Sequence, residues 1–240
     1  MNIGARGNVI WAEIARILEG DILSGACLPG ERMPTEAELA LRFRVNRHTV
    51  RRAMAALRDK RLVRVEQGRG TFVQESVIPY AVTRRTRFSE NILLQKRSPG
   101  GLLLHSEETT ADGDISQGLH IPPDRPVLRL DILREADGRP LALSSHYFPL
   151  PRFSGMVEAF LAAGSVTVSL RAYGVTSYRR VQTNLSSRLP SREEARLLEQ
   201  PRTAPVIIAR SVNVDERGIP IDYGVARYSG ARVEFVFHTG

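Results

Sequence analysis

Cysteine is almost missing from this chain: Cys27 is the only one in 240 residues. No intrachain disulfide can form, which fits a reducing, cytoplasmic setting and excludes a small disulfide-stapled scaffold. Between Ala26 and Leu28, Cys27 reads as a small packing residue rather than a reactive thiol. No run of about 18 apolar residues occurs, so no segment is expected to span a bilayer. The opening residues, MNIGARGNVIWAEI, lack an apolar core followed by a small-residue cleavage site, so no secretory signal is expected. Internal repeats and low-complexity tracts are also missing. The same holds for the usual catalytic signatures. His105, His120, His146 and His238 are scattered, without the spacing a metal site needs. There is no nucleophile elbow and no Walker loop, and Gly68-Arg69-Gly70 is too short for a dinucleotide fingerprint. These gaps point away from an enzyme, with no catalytic residue, metal or cofactor expected.

What is present in excess is positive charge. The formal net charge is +8 and the pI is near 10.3, a balance that suits a polyanionic partner. The excess is concentrated. From Leu39 to Arg58 there is no Asp or Glu, while Arg42, Arg44, Arg47, Arg51, Arg52 and Arg58 all fall within it. A helix that needed only solubility would mix signs. A segment that approaches phosphates excludes carboxylates. The bland alternative is a solvated basic face on an ordinary three-helix domain.

Periodicity sets this segment in context. Ile10, Ile14, Ile17, Leu18 and Ile22 recur at helical spacing over residues 9–23, and Gly25 and Pro29-Gly30 end that helix. Thr35 and Glu38 form a capping box that opens a short second helix through Ala37, Leu39, Ala40 and Phe43. At Asn46, a good N-cap, the pattern resets. Val50, Ala53, Met54 and Leu57 then make an apolar stripe opposite Arg47, His48, Arg51, Arg52 and Arg58. Two short helices joined this tightly form a helix-turn-helix. Leu62–Val65 and Thr71–Val73 read as a hairpin around Gln67-Gly68-Arg69-Gly70, a "wing" whose arginine can enter a minor groove. An arginine early in the recognition helix can fork onto guanine.

The stretch PGERMPTEAELALRFRVNRHTVRRAMAALRDKRLVRVEQGRGTFV resembles the winged helix-turn-helix of GntR-type bacterial transcription regulators, over about residues 9–74. The candidate DNA contacts are Thr35, Arg44, Asn46, Arg47, His48, Thr49, Arg51, Arg52, Gln67, Gly68, Arg69 and Gly70. A second-helix position often basic in the family is Ala37 here, so that contact is expected to be absent or moved to a neighbour.

Beyond residue 76 the composition changes. Residues 77–86, with Pro79, lose helical periodicity and read as a linker. Strand patterns then dominate. Alternating apolar runs flank Asp137-Gly138, a hairpin signal, and further turns are expected at Arg217-Gly218 and Ser229-Gly230. Short helices are expected at 154–163, 166–173 and 191–199. The fold class expected is α+β: a winged helix-turn-helix over 1–76, then an effector domain on an antiparallel sheet over 87–240.

This half resembles the effector-binding domain of the HutC subfamily, which has a chorismate-lyase-like (UTRA) fold; RFSENIL, ILREADGRPLALSSHYFP and PIDYGVARYSGARVEF carry the likeness. With NRHTVRRA and SSHYF, the chain looks closest to the PhnF-type regulators of phosphonate utilisation. The resemblance implies a homodimeric repressor on a palindromic double-stranded operator, answering to a small anionic effector such as a phosphonate or phosphate ester. The implied ligand residues are Phe88, Ser89, Arg134, Ser144, His146, Ser165, Thr167, Asp222 and Tyr228. Ile132 stands where sugar-phosphate-binding relatives often have a second arginine, and Ser144 and Asp222 where they often have glutamates, which disfavours a large aminosugar phosphate. Alternatives stay open. Arg134 could be a strand-end arginine paired with Glu135 or Asp137, and His146 a half-buried hydrogen-bonded sheet histidine. The effector could be a sugar phosphate or carboxylate, or the second domain could be a lyase-like enzyme with a basic interaction module.

Overall fold

The computed structural model describes residues 3–74 and 77–237; His238 lies outside them. The chain divides into two compact units, Met1–Ser76 and Val77–Gly240. Among the described residues no helix is long and apolar enough to cross a membrane.

The first unit holds helices α1 (Ile3–Leu23), α2 (Glu36–Phe43) and α3 (Arg47–Asp59), then strands β1 (Val63–Glu66) and β2 (Gly70–Val73). Each boundary has a local cause. The Thr35 hydroxyl accepts from the Glu38 amide while the Glu38 carboxylate accepts from the Thr35 amide, which fixes the start of α2. Arg44 closes it in the left-handed conformation, φ 53°, with its amide bonded back to the last turn. Asn46 then caps α3, its Oδ1 accepting from the Thr49 amide at 2.9 Å. Val50, Ala53, Met54 and Leu57 face inward and join Ile14, Leu18 and Leu39 in one core. Cys27 packs on that core, and burial raises its thiol pKa. β1 and β2 pair antiparallel from Val63–Val73 to Glu66–Gly70.

The second unit is built on a six-stranded sheet. Its strands are β4 (Pro99–Thr110), β5 (Pro126–Ala136), β6 (Arg139–Pro149), β7 (Tyr178–Arg188), β8 (Val206–Asp215) and β9 (Pro220–Ser229). Their spatial order is β4-β5-β6-β9-β8-β7, and every pairing is antiparallel. The four central strands are buried on both faces. On one face α6 (Met156–Ala163) and α7 (Val166–Ser169), continued by a 3-10 turn to Tyr173, cover Leu128, Leu130, Ile132, Phe148 and Ile221. On the other, α5 (Gly113–Leu119) covers Val127, Val212, Val214 and Tyr223, and α8 (Arg192–Leu197) is followed by Leu198, which packs with Leu133, Leu143 and Ile208. Gly118 is required on α5, because a Cβ there would meet Tyr223 Cδ2 at 2.5 Å.

Two expectations are corrected. The stretch 77–86 is not a linker: Ile78–Val82 forms strand β3, with Ile78 and Tyr80 buried. Its alternation of buried and exposed residues is that of a half-buried strand. Val233–Phe237, expected to complete a hairpin at Ser229-Gly230, instead leaves the sheet as β10. It pairs with β3 in parallel, from Val233–Ile78 to Phe237–Val82. Tyr80 draws both strands together, its ring 5.2 Å from Tyr228 and 5.5 Å from Phe235.

An ionic clamp closes the chain around α8. Glu194 accepts from both Arg188 terminal nitrogens, at 2.6 and 2.7 Å, and from the Ser191 amide at 2.8 Å. The Arg188 fork holds the Glu194 carboxyl at about 2, far below its ordinary 4.5. A carboxylate depressed in the folded state stabilises it above the ordinary value and loses that contribution as pH falls towards about 2. Partial exposure limits the effect to about 1–2 kcal/mol. Glu194→Gln is therefore expected to lower stability at pH 7 and to flatten its decline between pH 5 and 3, measured by urea unfolding; equal curves for both proteins would remove the clamp from the account.

Candidate functional site

The first candidate surface lies on the N-terminal unit. Arg44, Asn46, Arg47 and His48 are exposed at the start of α3. Several of the predicted contacts are tied to their own unit, while Gln67 and Gly68 are exposed at the turn. Arg51 forks onto Glu36 of α2, its Nη2 at 2.9 Å from Oε2, and that pairing raises its guanidinium pKa. Arg52 stacks over the Trp11 ring, 4.6 Å from its centroid. Arg69 at the turn is ion-paired with Glu66. Thr35, Asn46 and Thr49 spend their side-chain bonds on helix capping. Carboxylates are missing from residues 39–58 as sequence, yet the fold brings Glu36 to Arg51 and Asp21 to Arg42 from outside that window. Ala37 offers only a methyl group and no charge for a phosphate contact, and Glu36 beside it is engaged by Arg51.

These pairs are exposed and therefore weak, so a phosphate can compete for the arginines. Freeing Arg51 by Glu36→Gln is expected to strengthen non-specific duplex binding a few-fold and steepen its salt dependence by about one charge. Fluorescence anisotropy over a salt series measures both; an unchanged slope would mean that Arg51 stays away from the duplex.

The second candidate is a cavity in the C-terminal unit, on the sheet face that also carries α6 and α7. Helix α4 (Phe88–Leu94) and the turn before it bring Thr86, Arg87, Phe88 and Ser89 to one wall. Ser165, the N-cap residue of α7, and Thr167 stand at another. The sheet supplies Arg134, Ser144, His146, Asp222 and Tyr228. All nine residues named from the sequence thus line one cavity. Arg87, Tyr178, Arg180 and Asn213 line it as well and were not foreseen. About 60 Å³ is open to water-sized occupants, about four to six times what one water needs.

The polar groups form a chain. Arg134 Nε donates to Ser144 Oγ at 3.2 Å, and its Nη2 lies 3.3 Å from His146 Nε2. His146 Nδ1 lies 3.0 Å from Asp222 Oδ1, and Asp222 Oδ2 accepts from Asn213 Nδ2 at 2.8 Å. Arg180 Nε donates to Asn213 Oδ1 at 3.4 Å. His146 fits this chain with its proton on Nδ1, donating to Asp222 and accepting from Arg134. Both simple readings are thereby resolved: Arg134 does not pair with Glu135 or Asp137, and His146 is a hydrogen-bonded sheet histidine that faces the cavity.

Arg134 is 6 % exposed, and among the described residues no carboxylate stands within ion-pair distance of it. Burial lowers its guanidinium pKa, though arginine stays charged. The rings of Phe88 and Phe160 lie 5.6 and 5.9 Å from its central carbon. Gly101, its partner on β4, leaves it room: a Cβ there would lie 3.2 Å from Nη1. Burial also raises the phenol pKa of Tyr80 and Tyr178, so both stay neutral and offset none of this charge. Arg87 sits 4.6 Å over the Tyr178 ring and pairs with Glu90 at 2.7 Å, while its Nε is buried without a hydrogen bond.

Comparison with known proteins agrees with both halves. Residues 11–73 match the bacterial regulatory proteins of the gntR family, and residues 94–234 match the UTRA domain. An uncharacterized HTH-type transcriptional regulator of Rhizobium meliloti is 38% identical over 97% of this chain and 96% of its own length. The HTH-type transcriptional repressor PhnF of Mycolicibacterium smegmatis is 30% identical over 95% of this chain and 89% of that protein. The crystal structure of PhnF from Mycobacterium smegmatis superposes with a TM-score of 0.64 at 27% identity, covering 97% of this chain and 99% of that one. These relatives are transcription regulators, not enzymes. The chain belongs to the GntR family of bacterial transcription regulators, with a UTRA domain as its second unit and a PhnF-like sequence throughout.

Proposed function

We propose that this protein is a repressor released from its operator by a small phosphonate- or phosphate-like anion seated in the Arg134 cavity. The observation that carries this reading is a buried guanidinium on a cavity wall that no carboxylate of the described residues contacts. A buried cation without an anion is costly, and a tetrahedral oxyanion accepts an arginine fork in its plane. The cavity's small size favours such a ligand over a sugar phosphate.

At the other end, a homodimer would set two α3 helices into successive major grooves of a palindromic site, about 34 Å apart. Arg44, Arg47 and His48, exposed and without an ion pair among the described residues, would reach bases and phosphates. Effector binding lowers DNA affinity by whatever difference it makes between the two states. The test is a gel shift with the DNA upstream of its own operon, at a stated salt concentration, with and without methylphosphonate, propylphosphonate and inorganic phosphate. Binding no tighter than to random duplex defeats the operator half of this reading. Tight binding that no anion relieves defeats the effector half.

A further inference from the structure

We infer that Arg180, on the edge strand β7, is a second ligand-binding cation that restricts the cavity to anions bearing no ammonium group. This rests on the proposed function of the cavity and narrows its ligand class.

The chain Arg134–His146–Asp222–Asn213–Arg180 has a guanidinium at each end and one carboxylate between them. Histidine in its bridging tautomer and asparagine are neutral, so the chain carries one uncompensated positive charge. Arg87 does not change this balance, because Glu90 pairs with it. Among the described residues Arg180 makes no ion pair; its side chain donates to the side-chain amide oxygen of Asn213. Its backbone amide donates to Arg84 O at 2.7 Å, which ties the strand at this point to the turn before α4. The side chain is therefore anchored at its base and faces the cavity half-buried.

The same chain disposes of the one group that could receive an ammonium. Asp222 is the single carboxylate of the cavity wall. It is 2% exposed, and its two oxygens are occupied by His146 and Asn213. An amine reaching it would have to displace one of them and then sit between two guanidinium groups. Glu90, tied to Arg87, is not part of the wall. A ligand with a phosphoryl group and an apolar or hydroxyl tail fits this charge pattern, and one with an aminoalkyl tail opposes it.

Propylphosphonate and 2-aminoethylphosphonate make the comparison at nearly equal size. Isothermal titration of the full-length protein at pH 7 is expected to show propylphosphonate binding at least about tenfold more tightly, equivalent to about 1.4 kcal/mol. Arg180→Gln, which keeps a donor for Asn213, is expected to weaken propylphosphonate about tenfold and to shrink the preference. Arg180→Lys, keeping the charge, is expected to retain most of the preference. Equal binding of the two ligands by the wild-type protein overturns the inference even if the variants do not fold, as does unaltered discrimination in Arg180→Gln. If neither phosphonate nor inorganic phosphate binds at all, the proposed function itself falls, and this inference with it.

Discussion

Arg134→Met is expected to bind operator as the wild-type protein does and to ignore alkylphosphonates. Methionine keeps most of the aliphatic volume between Phe88 and Phe160 and removes the charge. Each charge-assisted bond to a buried guanidinium contributes about 1.5–3 kcal/mol. Loss of the fork should therefore weaken propylphosphonate by about 100-fold, or about 2.7 kcal/mol. A second reading separates binding from damage. The wild-type cation is buried and, among the described residues, no carboxylate touches it, so its removal is expected to leave the unliganded melting temperature unchanged or raised. A variant still released by the same phosphonate concentration would show that the anion sits elsewhere. Thermal shift and gel shift on one protein preparation decide both points.

The second large effect belongs to Arg47. It is the first residue of α3, is exposed, and makes no ion pair among the described residues. Arg51 and Arg69 must first leave Glu36 and Glu66. Arg47→Ala is expected to cost about 1–3 kcal/mol of operator binding and to relax the base preference at one position of each half-site. Binding to a set of operators varied at single positions measures this. A uniform loss at every position, with a salt slope shallower by about one, would instead assign Arg47 to a phosphate.

Much of this was legible in the sequence where local chemistry sets the conformation. The Thr35–Glu38 box starts its helix as expected, because it is a closed exchange of hydrogen bonds within four residues. The Asp137-Gly138 turn joins β5 to β6 for the same reason, both residues taking positive φ. The two edge strands were not foreseen. Neither β4 nor β7 has a buried residue, so their composition lacks the alternation that a half-buried strand shows. Strand β3 was missed because Pro79 reads as a breaker. Its exposed position beside a single partner strand tolerates the missing amide.

The candidate cavity follows the same division. The nine residues carried over from the family resemblance meet at one place, although they are spread from Phe88 to Tyr228. Arg180 was not picked out, because its neighbours Arg179 and Val181 make it look like any charged residue of an exposed strand. Only the bulge between Arg180 and Gln182, and the pairing of Arg180 with Asn213, place it beside Asp222. The basic run of α3 taught the converse lesson. A window of sequence free of acid is not a surface free of acid, since Glu36 lies three residues outside that window and reaches Arg51.

The parallel pair of β3 and β10 has a practical consequence. Among the described residues β10 is the sole strand to which β3 is hydrogen-bonded, so the chain's last stretch secures its passage into the second unit. Tyr80, in the middle of that seam, also presents its ring to the cavity. An occupant leaning on Tyr80 would press on the doorway itself, and trimming the protein after Gly230 would remove both that seam and Arg232, whose guanidinium donates to the carbonyls of Pro140, Leu198 and Glu199.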